Sequence, residues 1–75
     1  MFEIVSAIEI GKRLRQLRGQ RSLEEVAKAT GISTSAIGMY EIGQRIPKDE
    51  NKVKLVQYYQ VPVEKLFFSS DYHVK

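Results

Sequence analysis

The chain contains no cysteine. Disulfide staples and thiolate-bound zinc are therefore excluded as sources of its stability. A single histidine, His73, stands near the C-terminal end. A metal site needs several convergent ligands, so His73 reads as a solvated tail residue, and no metal or other cofactor is expected. No glycine-rich phosphate loop is present, and with one histidine and no cysteine no catalytic residues are assigned. No apolar run approaches the ~20 residues that a membrane span needs. Met1 to Ile10 is rich in apolar residues, but it carries Glu3 and Glu9 and lacks a basic leader, unlike a signal peptide. A cytoplasmic protein without a membrane partner is the expectation. Strand signals are also scarce. Phe2 to Val5 is the one candidate, too short to build a sheet alone, and it packs either on the core or on a partner subunit. Internal repeats, low-complexity segments and Pro/Ser-rich linkers are missing.

What is present describes one small domain. The 75 residues leave no room for two, and 43% hydrophobic residues supply one compact core. A chain this short without staples relies on efficient helix packing, often with an oligomer interface. Five helices account for most of the sequence, which makes the fold all-α. The first starts at Ser6, with Glu9 placed for a capping box. Ala7, Ile10, Leu14 and Leu17 form its apolar stripe, and Gly19 ends it. The second spans about Leu23 to Thr30, the third about Thr34 to Ile42, closed by Gly43. Gln44 to Lys48 is a connector holding Pro47. A fourth helix begins near Asp49, with Val53, Val56 and Tyr59 as its expected stripe and Lys52 and Lys54 pointing elsewhere. Pro62 and Val63 open a short fifth helix through Leu66 and Phe67. The expected division is an N-terminal segment over 1–9, a domain over 10–68 and a tail over 69–75.

The stretch from Ser22 to Glu41 carries the most information. Ser22 is a good N-cap, and Glu25 three residues later suits a second capping box, which also explains the adjacent carboxylates Glu24 and Glu25. Val26 and Ala27 face inward, and the small Ala27 allows a second backbone to come close. Gly31 falls where a left-handed residue must stop the helix. Ile32 enters the core, Ser33 caps the next helix, and Ile37 and Tyr40 share one face of it. The spacing of Ala27, Gly31, Ile32 and Ile37 is that of a helix-turn-helix, whose second helix can lie in the DNA major groove.

The net charge is +3 and the sequence pI is 9.3, compatible with a polyanionic partner. Lys12, Arg13, Arg15, Arg18 and Arg21 fall within ten residues. Such a run reads either as a solvated helix face or as a surface for phosphates.

The pattern resembles the Cro/Xre-like helix-turn-helix family of phage and bacterial repressors. Ile10 to Arg18, Ser22 to Glu41, Gly43-Gln44-Arg45-Ile46-Pro47 and Tyr58 to Phe67 carry the resemblance, which covers about residues 10–68. It implies a compact five-helix bundle of the lambda-repressor-like DNA-binding type. It also implies double-stranded DNA as partner and a two-fold symmetric homodimer on a palindromic operator. Four departures stand out. Leu23 replaces the glutamine common at the start of the second helix. The Gly19-Gln20-Arg21 turn is short. Thr30 replaces a large aliphatic residue. The exposed face of the third helix lacks the Arg, Lys, Gln or Asn often found there.

On the resemblance, Thr34, Ser35, Gly38 and Met39 are the base-contacting candidates. The hydroxyls of Thr34 and Ser35 tolerate more than one base, the Thr34 methyl and Met39 thioether suit thymine methyl groups, and Gly38 lets the helix sit close. The plainer readings are helix capping for Thr34 and Ser35, and a surface or dimer contact for Met39. Phosphate contacts are assigned to Arg21, Ser22, Leu23 (through its N–H), Ser33, Gln44, Arg45 and Lys48. Glu41 is expected to pair internally, with Arg18. The alternative is a protein-interaction module, an antitoxin or an antagonist of a related regulator, docking through Tyr58, Tyr59, Phe67, Phe68 and Tyr72. The chain ends soon after the fifth helix, so no sensor domain is expected.

Overall fold

The computed structural model describes residues 5–68. Helices α1 (Ala7–Arg18), α2 (Leu23–Thr30), α3 (Thr34–Glu41), α4 (Asp49–Tyr59) and α5 (Val63–Phe67) follow one another. The expected all-α bundle of five helices is what forms.

Serine caps start the first three. Ser6, Ser22 and Ser33 accept the N–H of Glu9, Glu25 and Ala36 at 3.1, 3.0 and 3.1 Å. Each such cap contributes about 1 kcal/mol. Only this half of each expected capping box exists. The Glu9 carboxylate turns instead to Arg13 Nε, at 3.3 Å.

The α2–α3 turn is held from both sides. Gly31 is left-handed at φ 78°, with its N–H on the Ala27 carbonyl at 2.8 Å. Thr30 Oγ1 donates to the Val26 carbonyl at 2.8 Å and accepts the Ile32 N–H at 3.2 Å. A threonine here therefore satisfies a backbone donor that an aliphatic residue would leave to the turn.

The core consists of Ile10, Leu14, Val26, Ile32, Ile37, Tyr40, Leu55, Leu66 and Phe67. The expected stripe of α4 needs correction. Val53 is 51% exposed and Leu55 is the buried residue. The inner face runs Lys52, Leu55, Val56, Tyr59, at helical spacing. Lys52 lies on it because its ammonium sits 5.5 Å from the centre of the Phe67 ring, a charged head on an apolar stem.

α1 is the spine. A Cβ on Gly11 would lie 2.6 Å from the Tyr40 carbonyl oxygen and against that of Glu41, so α1 rests directly on the C-terminal backbone of α3. Arg13 Nη1 donates to the carbonyls of Lys65, Leu66 and Phe68 at 3.1, 3.4 and 3.0 Å, tying α1 to the end of α5. Val5, the one described residue of the candidate strand, donates its N–H to the Phe67 carbonyl at 3.1 Å and packs half-buried on the core. Phe2 to Ile4 and the expected tail, with Tyr72 and His73, lie outside the described residues.

Candidate nucleic-acid interface

The position of α3 follows from three attachments. Ile37 and Tyr40 are buried. The Tyr40 hydroxyl accepts from Asn51 Nδ2 at 2.9 Å, joining α3 to α4. Glu41 receives both Nε and Nη2 of Arg18, at 2.8 and 3.0 Å, in the bidentate geometry that makes such pairs strong. This is the internal pair expected from the sequence. The Glu41 hydrogen bond holds the Arg18 guanidinium pKa above its ordinary value, against the opposing effect of desolvation.

The same corner restrains a phenol. Burial pushes the Tyr59 pKa up to about 12, with further support from the Glu41 charge and Tyr58, while Arg21 and Arg18 pull it down. Tyr58 and Tyr59 meet edge to face at 4.9 Å. The Arg21 guanidinium lies 5.3 and 5.6 Å from their ring centres.

Fixed in this way, α3 turns its other face outward. Ser35 is exposed, and Thr34, Gly38 and Met39 are half-exposed. These are the four residues named as base-contacting candidates, and the fold places them together. A Cβ added to Gly38 would meet nothing within 4 Å. Internal packing therefore gives no reason for a glycine in mid-helix, which costs about 1 kcal/mol relative to alanine. Ile42, absent from the sequence-based candidates, joins them. It is 67% exposed, four residues after Gly38 and three after Met39, on the same face. Its helical register was the available signal.

Two helices begin with serine caps, α2 at Ser22 and α3 at Ser33. Ser22 and Ser33 are exposed caps, and each hydroxyl keeps a proton to donate outward. The N–H groups of the first turn of α2, Leu23 included, have no partner within the helix. The Leu23 side chain packs half-buried against the core. Beyond α3, Gln44, Arg45 and Lys48 are exposed, and buried Pro47 anchors the connector that carries them. Arg45 and Lys48 make no side-chain hydrogen bond or ion pair among the described residues. Arg21 stands apart from this group. Its Nη1 donates to the Leu17 carbonyl at 3.2 Å, and its guanidinium sits over the tyrosine rings.

Comparison with known proteins gives the family and the fold that its relatives share. Residues 12–66 match the helix-turn-helix family. The chain is 36% identical, over 64 residues and 83% of its length, to the cryptic phage CTXphi transcriptional repressor RstR of Vibrio cholerae. It spans 58% of that repressor's length. Its fold is similar to that of the restriction-modification controller protein C.AhdI from Aeromonas hydrophila, at a TM-score of 0.74 and 33% identity, covering 81% of this chain and 96% of the controller. The DNA-binding domain of BldD superposes with a TM-score of 0.68 at 31% identity, covering 81% of this chain and 92% of that domain. The chain belongs to the Cro/C1-type helix-turn-helix family.

Proposed function

We propose that this protein is a sequence-specific double-stranded DNA-binding transcriptional regulator, acting as a repressor with α3 in the major groove. The observation that carries the reading is the outward face of α3. It holds a mid-helix glycine that the fold does not need, and α2 and α3 both begin at serine caps that suit phosphate. The resemblance to a phage repressor and to a restriction-modification controller supports the same direction.

In this reading Thr34, Ser35, Gly38 and Met39 meet base edges. Ser22, the Leu23 N–H, Ser33, Gln44, Arg45 and Lys48 meet phosphates. Arg21 would join them only through N–H groups not already committed to Leu17 and the tyrosine faces. A homodimer on a palindromic operator is part of the proposal, as is action on the nucleoid of a bacterial or phage-infected cell. No described helix is long and apolar enough to cross a membrane. No catalytic role is proposed. The interaction-module alternative gains no particular support. Phe67 is fully buried, and Tyr58 and Tyr59 are engaged with Arg21.

Selection of bound duplexes from a random library at about 150 mM salt tests the reading. Enrichment of a palindrome with half-sites about one helical turn apart is expected. Weak, salt-sensitive binding without enrichment would overturn it.

A further inference from the structure

Ile42 donates its N–H to the Gly38 carbonyl at 3.1 Å, so its side chain continues the register of α3. It stands seven residues after Ser35, four after Gly38 and three after Met39, a spacing that puts all of them on one face. At 67% it is the most exposed large apolar side chain among the described residues. The face from Thr34 to Ile42 offers two hydroxyls, a threonine methyl, a thioether and a branched alkyl group. Glu41, the charged residue of α3, is turned away into its pair with Arg18. The outward face thus carries no charge and no amide, the groups that read guanine or adenine edges in pairs of hydrogen bonds.

We propose that Ile42 is a specificity-determining residue and that this face discriminates base pairs chiefly by their C5 methyl groups. The proposal rests on the DNA-binding reading above. A C5 methyl is the apolar group that a base pair displays in the major groove, on thymine, and 5-methylcytosine displays the same group. The eight residues of α3 span about 12 Å, close to the groove's width of about 12 Å. Ile42, at the far end of so short a helix, therefore stays within reach of base edges. Burying one methyl against it changes affinity by about three- to fivefold.

The test uses the selected duplex with the full chain and with Ile42→Ala. Thymines are replaced one at a time by uracil, and cytosines by 5-methylcytosine. Ile42 is exposed, so Ile42→Ala should keep the thermal midpoint, and Ile42→Val provides a milder variant. At one or more positions uracil should cost the unaltered protein about three- to fivefold and cost Ile42→Ala nothing. That result identifies thymine as the source. A gain of that size on 5-methylcytosine, lost in Ile42→Ala, identifies methylated cytosine instead. Affinities of Ile42→Ala and Ile42→Val equal to that of the unaltered protein would overturn the proposal. So would equal losses on methylated and unmethylated duplexes. If no duplex is bound specifically, the DNA-binding reading falls first and takes the proposal with it.

Discussion

The basic run from Lys12 to Arg21 and the basic pair of the α3–α4 connector carry the same kinds of side chain and are used differently. Arg13 reaches three carbonyls at the end of α5, and Arg18 closes on Glu41. Arg21 lies on two tyrosines. Arg15 Nη1 donates to the Gly19 carbonyl at 3.4 Å. Arg45 and Lys48 are exposed, without side-chain partners among the described residues. The denser cluster in the sequence is therefore mostly structural, and the sparser one remains open to a polyanion. Charge density along a chain reports neither. What decides is whether carbonyls, carboxylates or aromatic faces fold back within reach of each guanidinium.

That contrast can be broken from the α1 side first. Arg18→Ala should destabilise the fold by about 2–3 kcal/mol in urea denaturation, because it leaves the shielded Glu41 carboxylate unpaired. The double variant Arg18→Ala/Glu41→Ala should cost less than the sum of the two single losses. Arg13→Ala should cost about 1–2 kcal/mol through the lost carbonyl contacts, with faster amide exchange at Val5. From the connector side, Arg45→Ala should leave stability within about 0.5 kcal/mol. It should lower affinity for all duplexes alike and reduce the salt slope by about one. A large stability loss there would erase the contrast.

The smallest effect concerns alkaline pH. Tyr59 titrates at about 12 in the fold against about 10 in the unfolded chain. Its contribution is fully present below pH 10 and is lost as pH rises toward 12, where the unfolded state releases the proton first. The thermal midpoint should therefore fall more between pH 9 and 11 in the natural protein than in Tyr59→Phe.

Much of this architecture is legible in the sequence, for local reasons. Ser6, Ser22, Ser33 and Gly31 act on their own neighbours, and the helices begin and turn where these residues stand. The Arg18–Glu41 pair was readable through the family resemblance, which puts an acidic residue at the end of the third helix, paired with the first. The inner face of α4 was not. Val53 is as apolar as Leu55, and Lys52 counts as polar until Phe67 is known to lie beneath it. Gly11 gave no local sign either, since its need arises from a carbonyl thirty residues away. The outward residues Thr34, Ser35, Gly38 and Met39 followed once Ile37 and Tyr40 were assigned inward. Ile42 gives no such sign, because an apolar side chain at a helix end is as easily a core residue as an exposed one.

In the DNA-binding reading, the outward face of α3 is shaped by something outside the fold. Gly38→Ala tests it most directly, with stability and operator affinity measured on the same sample. Space for the new methyl is open, so the variant should be more stable by up to about 1 kcal/mol. Its operator binding should nevertheless be weaker, because the methyl intrudes between helix and groove. A variant that is more stable and binds the operator as tightly as the natural protein would show that Gly38 is not kept for contact with DNA.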